Sequence, residues 1–319
     1  MKPVARIDEC AAVLAAVVGE RLRHDEPLGP RTTYRVGGPA ALFLDAESEA
    51  DLEAAAAAVK ASGVPVLVIG KGSNLLVADT GFAGLALALG ESFAGIDIGG
   101  TSVRAGGAAA LPVVARRTAA AGLTGFEWAV GVPGSVGGAV RMNAGGHGSE
   151  IAESLVGVRV LDLAGGDHGG VLGAVAAADL DLGYRRSAVG AATVVVDATL
   201  ALARGDREES ERQIAEIVRW RRDNQPGGPN AGSVFTNPPG DSAGRLVEAA
   251  GAKGLRVGTA EVSTKHANFI QADPGGRAAD VHALMIEVRR RVAERFGIEL
   301  HRETILVGFD DNPRSEVEG

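Results

Sequence analysis

Two glycine-rich segments carry the first chemical signal. Gly70-Lys71-Gly72-Ser73-Asn74-Leu75 follows an apolar run, Val64 to Ile69, that reads as a buried strand. Successive backbone N–H groups beside a lysine suit a diphosphate, and a plain tight turn explains the same residues. The GxxxxGK[ST] order of a P-loop is absent, and Leu75 stands where the third glycine of a GxGxxG fingerprint belongs. The second cluster, Gly131-Val132-Pro133-Gly134-Ser135-Val136-Gly137-Gly138, leads into Met142-Asn143-Ala144-Gly145-Gly146. Hairpin turns are the plain account of these glycines. Two such loops exceed what turns need, because each glycine costs conformational entropy, and they point to a pair of loops clasping one extended dinucleotide.

Three other segments hold reactive side chains whose ordinary reading is structural. Ser233, within Ala231-Gly232-Ser233-Val234-Phe235-Thr236-Asn237-Pro238, is of the kind most often found in a turn, and no GxSxG elbow surrounds it. The arginines of Gly183-Tyr184-Arg185-Arg186-Ser187 ordinarily coat a surface, although a guanidinium there is able to clamp a carboxylate. Glu303 precedes the apolar strand Thr304-Ile305-Leu306-Val307 and reads as an exposed strand end. Arg219, Arg221 and Arg222 complement a helix dipole, and they adjoin the Ser233 loop, where a phosphorylated substrate would meet them. His24, His147, His168, His266, His282 and His301 lack ligand spacing, so no metal site is expected. His282 is expected to be solvated on the polar side of its helix.

These segments need elements to hold them. A chain of 319 residues accommodates about two domains, and 46% hydrophobic with 23% charged residues describes a folded globular protein. Its 46 glycines against 4% aromatics favour tight turns and close backbone approach. A net charge of −8 argues against a nucleic-acid-binding surface while leaving room for local basic pockets. Cys10 is the only cysteine, which removes intrachain disulfides, thiolate metal cages and CxxC chemistry and fits a reducing cytoplasm. No apolar run reaches the length of about 18 residues that a membrane span needs, and Met1 to Glu20 reads as an amphipathic helix rather than a secretory signal.

Periodicity predicts helices over Ser48 to Ser62, Leu111 to Ala121 and Glu208 to Arg222. Strands are expected over Leu85 to Leu89, Ile96 to Ile98, Val103 to Ala105, Leu155 to Leu163 and Thr193 to Leu202. The clearest pattern is Val281, Leu284, Met285, Val288, Val292 and Phe296, a helix that Gly297 should close. Arg204-Gly205-Asp206 reads as a domain boundary, and Asp310 to Gly319 as a frayed acidic end.

Seven pieces now stand in order: Thr32-Thr33-Tyr34-Arg35-Val36-Gly37-Gly38, Gly70 to Leu75, Gly131 to Gly145, Tyr184-Arg185, Gly232-Ser233-Val234-Phe235, Ser263-Thr264-Lys265-His266-Ala267-Asn268-Phe269, and the Glu303 strand. Together they resemble the UDP-N-acetylenolpyruvoylglucosamine reductase (MurB) family of bacterial peptidoglycan synthesis, and more broadly the vanillyl-alcohol-oxidase or PCMH-type FAD fold. Each piece is weak alone, whereas the ordered set from about Thr32 to Gly308 is specific.

The resemblance implies an α+β chain. An N-terminal helix at 1–19 precedes a two-subdomain PCMH-type FAD-binding domain at 20–205, with subdomains about 20–85 and 86–205. An α/β substrate-binding domain at 206–309 and an acidic tail at 310–319 follow. It also implies non-covalent FAD, since Cys10 lies outside every matched piece, with NADPH as co-substrate. NADPH gives hydride to FAD and leaves, and UDP-N-acetylglucosamine enolpyruvate takes its place and is reduced to UDP-N-acetylmuramate. The cofactor falls to Arg35, Gly70, Lys71, Gly72, Ser73, Asn74, Leu75, Gly131, Pro133, Gly134, Ser135, Gly137, Gly138, Asn143 and Gly145. Tyr184, Arg222, Asn237 and His266 fall to the substrate. Arg185, Ser233 and Glu303 carry over as the catalytic trio.

Hydride addition at the vinyl carbon leaves negative charge on its neighbour and the attached carboxylate. Arg185 would balance that charge, Glu303 would assist in its protonated form, and Ser233 would protonate the carbon. His147, Thr236 and Ile305 depart from the aromatic, lysine and arginine common in the family, which bears on substrate contacts. The chain looks like the shorter family subtype, with a more open substrate site. The expected setting is a cytoplasmic monomer without nucleic-acid or membrane partners. Two rivals share the fold: an oxidase of a sugar or hydroxy acid, and a nucleotide-binding homologue without turnover.

Overall fold

Helix α1 (Pro3–Val18) packs on helix α2 (Glu49–Ser62), burying Cys10, Leu14, Val18, Leu52, Ala55 and Val59. The α2 ends are set locally. Ser48 Oγ accepts from the Asp51 N–H at 3.2 Å, Asp51 Oδ2 accepts from the Ser48 N–H at 3.1 Å, and Gly63 closes the helix at φ 63°. The structure, a computed structural model, describes residues 3–165 and 170–309, so His168 and the acidic end from Asp310 lie outside the described residues.

Two units form, and neither is consecutive. One holds the residues up to Asp25, Ala41–Lys71 and Ala83–Arg221; the other holds Glu26–Ala40, Gly72–Phe82 and the residues from Arg222 on. This differs from a division at Arg204-Gly205-Asp206. The reason lies in packing: helix α3 (Leu111–Ala120), helix α4 (Val136–Arg141) and helix α5 (Arg207–Asn224) as far as Arg221 share one unit. Ile214 and Ile217 of α5 join the core of Val103, Val114, Phe126 and Trp128, and Ser210 Oγ donates to Glu127 Oε1 at 2.6 Å. The short segments around Tyr34, Val36 and Leu76 bury their side chains with Val234, Phe235 and Val288 of the second unit.

The first unit carries a four-stranded sheet in the order Leu22–Pro27, Pro39–Ala46, Phe82–Leu89, Val66–Ile69, the last pair parallel. Its other sheet has five strands in the order Gly173–Ala176, Leu155–Asp162, Thr193–Ala201, Ser102–Gly106, Ile96–Gly99, with all neighbours antiparallel. At its centre Asp197, 6% exposed, accepts from Arg104 Nη2 and Arg159 Nε, each at 2.7 Å. Burial pushes the Asp197 carboxyl up, the two guanidinium hydrogen bonds outweigh it, and the group titrates below its ordinary 3.8. A depressed acid contributes stability above its unfolded pKa and loses it as pH falls through the folded value. Asp197→Ala is therefore expected to lower unfolding free energy at neutral pH by about 2 kcal/mol. It should also flatten the loss of stability below about pH 4, with urea melts across pH as the measurement.

The second unit pairs helix α6 (Ala243–Ala249) and helix α7 (Ala278–Phe296) with an antiparallel sheet of Arg256–Val257, Ala260–Val262 and Ile270–Ala272. A separate parallel pair, Leu75–Val77 with Ile305–Val307, joins segments far apart in the sequence. Helix α7 buries the periodic residues Val281, Leu284, Met285, Val288 and Val292, and Gly297 closes it at φ 67°. His282 departs from expectation: it is half-buried, its ring 4.5 Å from that of Phe309 and its Nε2 3.4 Å from Arg302 Nη1. The period places it at the edge of the apolar face, and Phe309 packs against that edge. Among the described residues no helix is long and apolar enough to cross a membrane.

Candidate functional site

In the first unit a cleft opens between the two glycine loops. Gly70, Lys71, Gly107, Ser135, Gly137, Gly138 and Arg141 line it above Val68, Ile69, Val194 and Val195. Ser135 caps α4, its Oγ accepting from the Gly138 N–H at 3.4 Å. A Cβ on Gly70 would lie 2.5 Å from that Oγ, so a larger residue there would displace the Ser135 hydroxyl. Gly137 donates to Gly107 O at 2.9 Å, and Gly134 O accepts from Leu111 N at 3.0 Å, which anchors the loop beneath α3. Lys71 and Pro133 are exposed.

Arg141 is a cleft-lining residue that sequence reasoning did not single out. It is half-buried, and Nη1 donates to Gly190 O at 3.4 Å and Ala191 O at 3.2 Å. Burial pushes its pKa down, and among the described residues no carboxylate pairs with it. A guanidinium held against carbonyls in a cleft of glycine backbone calls for an anion. These residues fit a phosphate-bearing cofactor. The available signal in sequence was a cation inside the helix that the glycine loop opens.

The other half of the first loop folds into the second unit. Gly72, at φ 60°, accepts at its carbonyl from Thr33 N at 3.1 Å, and a Cβ there would sit 2.1 Å from Arg31 O. Ser73 is half-buried. Asn74 Nδ2 donates to Glu303 O at 2.9 Å, its own carbonyl accepts from Ile305 N at 3.0 Å, and Leu75 begins the parallel pair. Arg35 is exposed at φ 58°, its N–H on Thr32 Oγ1 at 3.2 Å.

Arg185 sits in a tight turn of the first unit, closed by reciprocal Gly183 and Arg186 backbone bonds of 3.1 Å, at φ 57°. Asn143, fully buried, ties that turn down. Its Nδ2 donates to Gly183 O at 3.0 Å, and its Oδ1 accepts from Ala152 N at 3.2 Å. The Arg185 guanidinium donates to Gly145 O at 3.1 Å and lies 5.0 Å over the Tyr184 ring, which is 55% exposed. From α5, Arg221 donates to Gly131 O, and His147 meets the Trp220 ring edge-on at 5.1 Å. Burial and the Arg221 charge hold His147 below the usual histidine range.

The second unit aligns Ser233 with Glu303. Val234 O accepts from Glu303 N at 2.8 Å, and Phe235 bridges Arg302, so the two segments run side by side. Both residues are half-buried while Val234 and Phe235 are buried. Thr236 N continues the pairing onto His301 O at 3.0 Å. Asn237 Oδ1 accepts from Ala243 N at 3.0 Å at the start of α6. His266 accepts at Nδ1 from Asn268 N at 3.2 Å, with its pKa lowered by burial. Arg222 is exposed, its Nε 3.1 Å from Asp223 Oδ1, and Ile305 occupies the first position of its strand.

Comparison with known proteins matches both units. Residues 40–171 match an FAD binding domain, and residues 224–307 match the UDP-N-acetylenolpyruvoylglucosamine reductase C-terminal domain. A UDP-N-acetylenolpyruvoylglucosamine reductase of Rubrobacter xylanophilus is 43% identical over 288 residues, covering 90% of this chain and 95% of the relative. One from Heliobacterium modesticaldum is 44% identical over 286 residues, covering 89% and 90%. The crystal structure of the Thermus caldophilus enzyme superposes with a TM-score of 0.78 at 37% identity, covering 90% of this chain and 99% of that one. The α+β architecture with an FAD-binding domain agrees with that likeness, and this chain belongs to the UDP-N-acetylenolpyruvoylglucosamine reductase family.

Proposed function

We propose that this chain reduces UDP-N-acetylglucosamine enolpyruvate to UDP-N-acetylmuramate with NADPH, in cytoplasmic peptidoglycan precursor synthesis. The observation that carries the reading is the 2.8 Å bond from Glu303 N to Val234 O, which lays a hydroxyl segment and a carboxyl segment alongside each other in a chain of this family. FAD, when bound, would supply the redox chemistry that couples NADPH oxidation to reduction of the enolpyruvyl double bond. The glycine backbones and Arg141 of the first unit hold its diphosphate. Cys10, the only cysteine, is fully buried in α1 and offers no exposed thiol for covalent attachment of the flavin.

Arg185 faces the substrate carboxylate, where a permanent, planar cation balances charge that grows as the double bond is reduced. Glu303 adds a hydrogen bond from its protonated carboxyl. Ser233 Oγ–H delivers the proton to the carbon beside the carboxylate, so one hydride and one proton convert the vinyl ether into the lactyl ether. Asn143 and Asn74 hold the backbones of the Arg185 turn and of Glu303.

Purified anaerobically, the protein is expected to be yellow, to bleach with NADPH and to regain colour on adding the UDP-enolpyruvyl sugar. Bleaching by a sugar or hydroxy acid, with colour restored by oxygen and not by the UDP-enolpyruvyl sugar, would support an oxidase instead. Arg141→Ala is expected to weaken FAD binding by about 10- to 100-fold, the usual weight of a charge-assisted bond, as read by fluorescence titration of the apoprotein.

A further inference from the structure

Asn268 belongs to neither the predicted cofactor set nor the predicted substrate set, yet its side chain is committed in full. It is 4% exposed. Its Oδ1 accepts from Phe235 N at 3.0 Å and its Nδ2 donates to Phe235 O at 2.8 Å, so one carboxamide grips both sides of a single residue's backbone. Its main-chain carbonyl accepts from Val234 N at 2.9 Å. On the opposite edge Val234 O takes the Glu303 N–H. The segment from Ser233 to Phe235 is therefore held like a central strand, although only single bridges form around it.

The carboxamide stands in for a neighbouring peptide and sets the register of that segment. A slip of one residue would turn Ser233 to the other face and bring Val234 or Phe235 out of the core, and both are buried. A small displacement would move Oγ out of proton-transfer reach. We infer that Asn268 is the positioning residue for Ser233, fixing through the Phe235 peptide where the serine hydroxyl meets the substrate carbon. The inference rests on Ser233 being the proton donor.

The test uses FAD-loaded full-length protein and times the two half-reactions separately. In Asn268→Asp the acceptor survives and the donor is lost. In Asn268→Gly both side-chain bonds go while the Val234 bond remains. Flavin reduction by NADPH should stay within about twofold, and reoxidation by the UDP-enolpyruvyl sugar should slow by about 10- to 100-fold. On a Ser233→Ala background the same changes should cost less than about threefold, because the group being positioned is gone. Effects that multiply in the double variant would mark a general structural role and overturn the inference, as would an unslowed reoxidation step or variants that fail to hold FAD. If Ser233→Ala alone leaves reoxidation unchanged, the proton-donor reading itself is wrong.

Discussion

Ser233→Ala should leave NADPH-driven flavin bleaching intact and slow the return of colour with the UDP-enolpyruvyl sugar by about 10² to 10⁴, the usual worth of a positioned acid. The separation of the two steps is the informative part. In the proposed mechanism the hydroxyl serves only the carbon that receives the proton, and the first step proceeds without it. Ser233 is half-buried in a segment whose backbone is bonded along both edges, so removing Oγ leaves Val234 and Phe235 in their core positions. Anaerobic stopped-flow on both half-reactions is the measurement. Slowing of the first step, or loss of flavin, would move Ser233 from proton transfer to cofactor binding.

Arg185→Ala should lower the same second step by about 10³, as expected when one preorganised cation facing developing charge is removed. Arg185→Lys should recover only part of it, because an ammonium is a point charge and cannot meet both carboxylate oxygens from a planar fork. The guanidinium also donates to Gly145 O, and its backbone is left-handed at φ 57°. Lysine keeps the size and leaves the turn to Asn143. Circular dichroism and FAD content should therefore match wild type in the lysine variant, with the defect confined to single-turnover reoxidation. Equal rates for lysine and arginine would reduce the role to simple charge.

Regular elements were legible wherever a period ran unbroken. Helix α7 and its Gly297 cap follow directly from residues three and four apart, and α2 follows from Ser48, Asp51 and Gly63. Four of the five antiparallel strands were readable as apolar runs bounded by glycine or aspartate; the edge strand Gly173–Ala176 and the spatial order of the sheet were not. The boundary expected before α5 differs from the division of the folded chain for a physical reason. Arg204-Gly205-Asp206 has the composition of a linker, while Ile214 and Ile217 commit the following helix to the first unit's core. Composition reports local flexibility, and domain membership is decided by burial.

The types and order of the reactive groups belong to the sequence: a guanidinium in a glycine turn, a serine after glycine, a carboxylate before an apolar strand, and two loops of glycine. What holds each group in place belongs to the folded chain. Asn74 and Glu303 are 229 positions apart, and Asn268 grips a peptide 33 positions away. The cleft cation Arg141 shows its lack of a carboxylate only once Gly190 and Ala191 are beside it. Local backbone preference acts over a few residues and leaves a pattern in the string of letters. Hydrogen bonds and burial between distant segments leave none, because any chain path that brings the same groups together satisfies them equally well.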